Sequence, residues 1–289
     1  MKSLIALFFV FAYLSVHSVN ADKIATYNLR YQNERDAQAG NGWEQRKDVI
    51  SEQILFHAFD VVGTQEGLSK QMSDLASALE EFELVSFGRD DGREKGEHVG
   101  IFYRTSRYQL EDSGFFWLSE TPDQLSKGWD AALPRICTWA KLQRRAGGSF
   151  FIFNIHFDHR GQQAREESAK LLLEKIDAIA GEGPVVLLGD FNATEESQAY
   201  FTLQRSERLR DSFELAPVKL ARVGTFNGFD PDSDSASRID HLFVSEHFTV
   251  HRYGILTDTY RSMDELGGES RARVPSDHFP VVIEVTLNH

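Results

Sequence analysis

The chain has 289 residues, 41% of them hydrophobic, and a formal net charge of −13 at neutral pH. This acidic balance repels nucleic acid at long range, which argues against tight nonspecific DNA binding but not against a nuclease whose site holds metal ions. Cys137 is the only cysteine, which excludes an internal disulfide. We therefore expect a buried, inert thiol and a core that stabilises the fold unaided.

Residues 1–21 have the pattern of a secretory signal. Lys2 precedes an apolar run from Leu4 to Leu14, and Val19-Asn20-Ala21 offers the small residues that a signal peptidase reads. The run is short for a membrane span, although an uncleaved anchor is the alternative. We expect a secreted or periplasmic monomer without a transmembrane anchor, in which residues 22–289 form one domain.

Strand-like and helical patterns alternate through the first half of the chain. Trp43 and Ile50 belong to a series at helical spacing, which predicts an amphipathic helix. A second helix is expected around Met72 and Leu79, with Ser69 as its N-cap. The other elements expected here are strands Ile24–Leu29, Asp60–Thr64 and Val99–Tyr103 and the first helix, Gly42–Phe56.

The strand expected from Phe150 to Phe157 alternates between two faces. Aromatic and aliphatic residues occupy one face, and Asn154, His156 and Asp158 fall on the other. A helix is then expected from Gly161 to Ile179. Its inward positions are Ala164, Ser168, Leu171, Leu172 and Ile176.

The run from Val185 to Leu188 is continuously apolar, as expected of a strand buried on both faces. It ends in Gly189-Asp190-Phe191-Asn192, which brings a carboxylate and a carboxamide to the edge of the core. Further strands are expected at Ile239–Val244 and Val281–Val285. Several neighbouring strands lack an intervening helix, which favours two packed mixed sheets flanked by helices over one open parallel sheet.

Polar residues at these strand ends are the groups that metal-dependent phosphoester hydrolysis requires. Glu66 and Asp277 are the expected ligands of Mg²⁺, which prefers oxygen ligands and would activate water and polarise the phosphoryl oxygen. Asp190 is expected to orient the attacking water. Asn192, a neutral donor, would hold a developing phosphorane oxygen.

Two histidines stand close to carboxylates at strand ends. We expect His156 and His278 to act as phosphate clamp, general acid or general base, with Asp240 and Asp158 available to hold their tautomers. The other histidines are interpreted as surface or core residues. They are His57, His98, His159, His241, His247, His251 and His289.

In order and context these motifs resemble the endonuclease/exonuclease/phosphatase superfamily, which has the deoxyribonuclease I-like fold. The resemblance extends over nearly the whole mature chain, from Tyr27-Asn28 to Ser276-Asp277-His278. Within the superfamily, residues 116–122, 134–139 and 154–159 are similar to secreted bacterial members.

The resemblance implies a four-layer α/β sandwich with two mixed β-sheets inside. It also implies that Glu66 binds Mg²⁺ or Mn²⁺, with Asn28 and Asp277 helping to arrange the metal positions. Asp240 would fix the imidazole of His278. Which group accepts the proton from water stays open.

Motifs shared by the whole superfamily do not select among nucleases, inositol polyphosphate phosphatases, sphingomyelinases and deadenylases. Substrate loops would decide, and their candidate residues are Glu97, His98, residues 115–117, Trp129, Arg135 and Trp139. The residues expected to contact substrate are Trp117, Arg135, Asn154 and Asp158. An aromatic wall with one arginine suits a compact phosphorylated ligand, although it could also stack an unpaired base.

The preferred hypothesis is a secreted, divalent-metal-dependent phosphoesterase acting on a small phosphorylated substrate, without a stable nucleic-acid complex. A nuclease acting on DNA or RNA is the alternative among enzymes. A catalytically silent binding module is the alternative of another class, and the presence of every expected site residue argues against it.

Overall fold

The computed structural model describes residues 21–262 and 270–288, so nearly all of the expected signal segment lies outside the described residues. The helices are α1 (Glu34–Gln38), α2 (Trp43–Phe56), α3 (Ser69–Ala78), α4 (Gln162–Ala180), α5 (Gln198–Gln204) and α6 (Ser212–Leu215). The strands are β1 (Asp22–Asn28), β2 (Val61–Gly67), β3 (Phe82–Gly88), β4 (His98–Arg104), β5 (Tyr108–Trp117), β6 (Ile136–Arg144), β7 (Ser149–His156), β8 (Val185–Asp190), β9 (Arg210–Asp211), β10 (Val218–Leu220), β11 (Asp240–Val244), β12 (Phe248–Ile255), β13 (Tyr260–Ser262), β14 (Arg271–Arg273) and β15 (Val281–Leu287).

Two large sheets form the centre of the fold. The seven-stranded sheet has the order β10-β12-β15-β1-β2-β4-β3, and the six-stranded sheet has the order β5-β6-β7-β8-β11-β9. Strands β1 and β2 run parallel, as do β7 and β8, whereas β2 with β4 and β8 with β11 are antiparallel. Both sheets are therefore mixed, which confirms the prediction from the strand pattern.

Apolar clusters define the layers. One cluster lies between the two sheets and includes Ile24 and Ile152. A second, with Phe153 and Leu172, joins the six-stranded sheet to α4, and a third, with Ile50, joins the seven-stranded sheet to α2 and α3. The fold is an α/β sandwich of helices, sheet, sheet and helices, stabilised mainly by apolar area removed from water.

The single thiol lies inside the second cluster. Cys137 on β6 is fully buried, and burial raises its pKa well above the usual range. A thiol in this state is a poor nucleophile, as expected. Among the described residues, no helix is long and apolar enough to cross a membrane.

Two helix details differ from the sequence predictions. Ser69 is the first residue of α3 and not its cap: Leu68 takes the N-cap position, where its N–H donates to Gln71, and the Ser69 hydroxyl donates to Glu94. On α4, Leu171 is only half-buried and Ala169 is buried instead. In both cases the local neighbours of a side chain determine its capping role or its burial, and the periodicity of the sequence does not reveal these neighbours.

The carboxyl ends of the central strands meet at one edge of the sandwich. Asn28 pairs with Gln65 between β1 and β2, and His156 pairs with Asp190 between β7 and β8. Asp240 pairs with Asp190 across the antiparallel β8–β11 ladder. Strand pairing therefore brings polar residues that are distant in sequence to one place.

A buried arginine fixes the chain segments around this edge. The Arg46 guanidinium, 1% exposed, donates to the carbonyl oxygens of Leu29 and Pro275. The Ser276 hydroxyl donates to the Asn28 carbonyl oxygen at 2.6 Å. Helix α2 thus ties the end of β1 to the segment that carries Asp277 and His278.

Candidate active site

Asp190 lies at the centre of the polar edge, 1% exposed. Its Oδ2 accepts a hydrogen bond from Asn28 Nδ2 at 3.0 Å and lies 3.5 Å from His156 Nε2 and 3.8 Å from His278 Nε2. Burial, and then the Asp240 carboxylate, raise the pKa of Asp190 to about 7. A carboxylate with such a pKa can accept a proton near neutral pH.

The chain around Asp190 needs an unusual backbone. Gly189 has a φ of +144°, and a Cβ there would collide with the Ile155 carbonyl oxygen, so only glycine fits. Asn192 follows with a φ of +46°. Its backbone N–H donates to Asp190 Oδ1 at 2.8 Å and its Nδ2 donates to the Phe157 carbonyl at 3.0 Å, an arrangement that offsets the strain.

His278 is held by a carboxylate. Its Nδ1 lies 2.9 Å from Asp240 Oδ2, and both residues are buried. Burial lowers the pKa of His278, but the charges of Asp240 and Asp190 outweigh it and raise the pKa well above the ordinary value. The two carboxylates therefore favour the imidazolium form of His278.

His156 has the opposite protonation state. Burial, and then the positive charges of Arg135 and Arg89, lower its pKa well below the ordinary value. Its Nδ1 lies 3.9 Å from Glu97 Oε2. The expected partner Asp158 does not reach it. The two imidazoles beside Asp190 thus differ in charge, which suits them for different tasks.

A group of carboxylates fits a divalent cation. Glu66, which has a φ of +65° at a bulge in β2, accepts hydrogen bonds from Asn28 Nδ2 at 3.0 Å and from the Tyr31 N–H at 3.2 Å. Ligand atoms of Glu66, His156 and Asp190 lie within 4.8 Å of one another. Burial raises the pKa of Asp277, and the negative charge of Glu66 raises it further. Hard oxygen donors in such a cluster match the preference of Mg²⁺ or Mn²⁺.

The site opens into a cleft of about 630 Å³. Seven of the residues predicted for the site line it: Glu66, Arg135, His156, Asp190, Asn192, Asp277 and His278. The other lining residues are Arg30, Tyr31, Arg89, Glu97, Leu133, His159, Phe226 and Ile239. The structure therefore brings most of the predicted residues together around one concave surface.

Five predicted residues lie behind this surface. Asn28 and Asp240 contact the carboxylate and the imidazole from inside the fold, and the Asn28 Oδ1 accepts the Arg30 N–H and so does not face the cleft. Asn154, predicted to contact substrate, is fully buried and uses its amide between the sheets. Trp117 is also packed inside, where its Nε1 donates to the Arg89 carbonyl at 2.9 Å. The expectation of direct substrate contact is wrong for Asn154 and Trp117.

Asp158 has a supporting position. Its Oδ2 lies 3.4 Å from Arg135 Nε, and its Oδ1 accepts the Gly161 N–H at 2.8 Å. Burial raises its pKa, but backbone hydrogen bonds from Gly161, Ala132 and Arg160 and the charge of Arg135 bring it down to about 2. Asp158 thus positions Arg135 and does not itself line the cleft, contrary to the prediction.

Several cleft residues had no signal in the sequence. Arg89 and Phe226 lie in segments that carry no strand-end motif, and Arg30 and Tyr31 follow the Tyr27-Asn28 motif without belonging to it. His159, interpreted from the sequence as a surface or core residue, lines the cleft, and its Nδ1 lies 3.0 Å from Arg135 Nη2. Its place next to the motif at residues 154–158 is the one signal that could have identified it.

A two-sheet α/β sandwich with buried carboxylates, two imidazoles and a carboxamide at the strand ends defines the class of protein: a metal-dependent phosphoric ester hydrolase. The model of the Endonuclease/Exonuclease/phosphatase family matches residues 25–278, and the chain belongs to this family.

Solved structures agree with this assignment. A mannosyl-6-phosphatase from Bacteroides thetaiotaomicron is 48% identical, with a TM-score of 0.89, and the match covers 92% of this chain and 100% of that one. An endonuclease/exonuclease/phosphatase from Bacteroides vulgatus is 37% identical, with a TM-score of 0.83 and coverages of 93% and 100%. The human Nocturnin catalytic domain is 19% identical, with a TM-score of 0.70 over 93% and 94%, which shows a common fold.

Proposed function

We propose that the protein is a secreted, Mg²⁺- or Mn²⁺-dependent phosphatase that hydrolyses the monoester of a small polyhydroxyl compound, such as a hexose phosphate. Secretion is supported by the signal pattern of residues 1–21. A sugar phosphate substrate is supported by the similarity to the mannosyl-6-phosphatase.

The observation that carries the proposal is the charged cleft. Asp190 and the imidazoles of His156 and His278 form its floor, and charged side chains such as Arg89, Glu97 and Arg135 form its wall. A volume of about 630 Å³ lies within the range of small-molecule sites. Two of the aromatic side chains considered as a base-stacking wall pack elsewhere: Trp117 is buried in a cluster with Val99, and the partly buried Phe115 packs against that cluster.

Glu66 is the residue that would hold the cation, with Asp277 helping, so that Asp190 stays available to the attacking water. When bound, a divalent cation polarises a phosphoryl oxygen and lowers the pKa of bound water. Arg30 Nη1 lies 3.5 Å from Asp277 Oδ2 and 4.0 Å from Glu66 Oε2. The positive charge of Arg30 therefore offsets part of the negative charge of these two carboxylates.

The chain's own groups then divide the chemistry. Asp190 orients a water molecule and accepts its proton as the water oxygen bonds to phosphorus. The ester P–O bond breaks, the leaving alkoxide takes up a proton from solvent, and Asp190 returns the proton it accepted to solvent. The imidazolium of His278 stabilises the charge that develops on the phosphoryl oxygens, and neutral His156 and Asn192 donate hydrogen bonds to it.

A nuclease is the second candidate, because the rings of Tyr31 and Phe226 line the cleft and Phe226 is 40% exposed. Such rings could stack an unpaired base. The net charge of −13 opposes a long polyanion. We therefore place the nuclease second.

The test is product release from a panel of mannose 6-phosphate, glucose 6-phosphate, bis(4-nitrophenyl) phosphate and short DNA and RNA oligonucleotides, with EDTA and with Mg²⁺ or Mn²⁺ restored. We expect a sugar phosphate to be hydrolysed fastest, EDTA to abolish turnover and either cation to restore it. Faster oligonucleotide cleavage would make the protein a nuclease. Turnover that resists EDTA would contradict the metal requirement, and no turnover with no calorimetric metal signal would indicate a silent binding module.

A further inference from the structure

Three charged side chains form one wall of the cleft, beside the metal cluster and the hydrolytic groups. Arg89 follows β3 and Glu97 precedes β4 in the seven-stranded sheet, whereas Arg135 precedes β6 in the six-stranded sheet. All three line the cleft. We call them the Arg89–Glu97–Arg135 wall.

The contacts within the wall are direct. Arg89 Nη1 donates to Glu97 Oε2 at 2.5 Å, and Arg135 Nη1 lies 4.0 Å from the same oxygen. The groups behind the wall hold it in place. Trp117 Nε1 donates to the Arg89 carbonyl, and Asp158 contacts Arg135 Nε at 3.4 Å.

Two buried donors of the wall remain without a hydrogen bond. Among the described residues, Arg89 Nε and Arg135 Nη1 are buried and have no hydrogen-bond partner. Arg135 is only 4% exposed. An unsatisfied buried donor is costly, so its presence in a cleft points to an oxygen acceptor supplied by a ligand.

The charges of the wall select the kind of acceptor. Arg89 is paired with Glu97 and Arg135 with Asp158, so the two positive charges are balanced. A second phosphate would meet the Glu97 carboxylate and no net positive charge. A neutral hydroxyl can both donate to a carboxylate and accept from a guanidinium, so adjacent hydroxyls match the wall.

The wall also has the right position relative to the hydrolytic groups. His156 separates the two: its Nδ1 lies 3.9 Å from Glu97 Oε2, and its Nε2 lies 3.5 Å from Asp190 Oδ2. A ligand with its phosphorus near Asp190 would therefore extend its alcohol portion past His156 toward the wall.

We propose that the Arg89–Glu97–Arg135 wall binds adjacent hydroxyls of the substrate's sugar and so determines the enzyme's preference for sugar phosphates. Glu97 accepts a hydrogen bond from one hydroxyl, and Arg135 Nη1 donates to the oxygen of the same or the neighbouring hydroxyl. The inference rests on the proposed phosphatase function and adds its specificity determinant.

The test compares kcat/KM for mannose 6-phosphate with kcat/KM for 4-nitrophenyl phosphate, which lacks sugar hydroxyls. We expect Glu97→Gln and Arg135→Met each to lower this ratio by about 10- to 100-fold, the effect of losing hydrogen bonds to a charged group. The ratio cancels differences in the amount of folded enzyme. Glu94→Gln, an exposed acid in the same β3–β4 connection, is the matched control and should keep the wild-type ratio.

The outcomes separate the two proposals. If the wild type hydrolyses both compounds and the variants lose both in proportion, the wall does not read hydroxyls and the phosphatase function stands. If the wild type shows no preference for the sugar phosphate, the wall proposal is also overturned. If the wild type hydrolyses neither monoester, both proposals fail.

Discussion

Replacing Asp190 with asparagine is expected to lower kcat for phosphate release by about 10³-fold or more. The substitution keeps the size of the side chain but removes the group that takes the proton from water, and general base catalysis alone contributes about 10²–10⁴-fold. Asn28 Nδ2 donates to Asp190 Oδ2 and the Asn192 N–H donates to Oδ1, so one of these donors would keep an oxygen acceptor and the other would face the new NH2 group. The measurement is steady-state phosphate release with Mg²⁺ at saturating substrate.

The control for this variant is Asp123→Asn, since the side chain of Asp123 is 87% exposed and lies outside the cleft. Its kcat should equal that of the wild type, and thermal unfolding should show that Asp190→Asn is folded. Near-wild-type turnover by Asp190→Asn would remove Asp190 from the chemistry.

Replacing Asp240 with asparagine is expected to lower kcat by about 10²–10⁴-fold. The loss of a carboxylate behind a catalytic histidine changes the charge and the tautomer of the imidazole. The Asp240 carboxylate raises the pKa of His278. Without it the imidazolium would lose its proton at lower pH. The alkaline limb of the kcat–pH profile is therefore expected to move to lower pH in the variant.

Asp232→Asn is the matched control, because Asp232 is an exposed acid in the loop before β11. It should leave both kcat and the profile unchanged. A profile for Asp240→Asn that overlies that of the wild type would mean that the contact of 2.9 Å between His278 and Asp240 does not set the charge of the histidine.

The sequence was most informative where a buried strand ends in a polar group. Asp190 follows the apolar run Val185–Leu188, and His156 ends a strand whose last residues alternate between apolar and polar, so periodicity identified both residues. Strands with weaker patterns were not predicted. β5 is largely exposed along its middle, and β3 and β12 alternate imperfectly, because edge positions and bulges relax the burial requirement.

Sequence periodicity does not distinguish a polar residue buried between the sheets from one that reaches the cleft. Asn154 and His156 share a face of β7, yet Asn154 lies between the sheets and only His156 reaches the cleft. Their different depths follow from the way the sheets pack. Arg89 escaped prediction for a related reason: its position depends on pairing between β3 and β4 and on a contact with Trp117 of the other sheet.

In the proposed reaction, water attacks phosphorus at the Asp190 site. The most direct test of this attack is hydrolysis of a hexose 6-phosphate by the Mg²⁺-loaded enzyme in ¹⁸O-labelled water, with mass analysis of both products after a single turnover. Attack at phosphorus predicts one ¹⁸O atom in each released phosphate and none in the sugar. Label in the sugar hydroxyl would mean that the C–O bond breaks, and it would contradict the assignment of Asp190, His156 and His278 to attack at phosphorus.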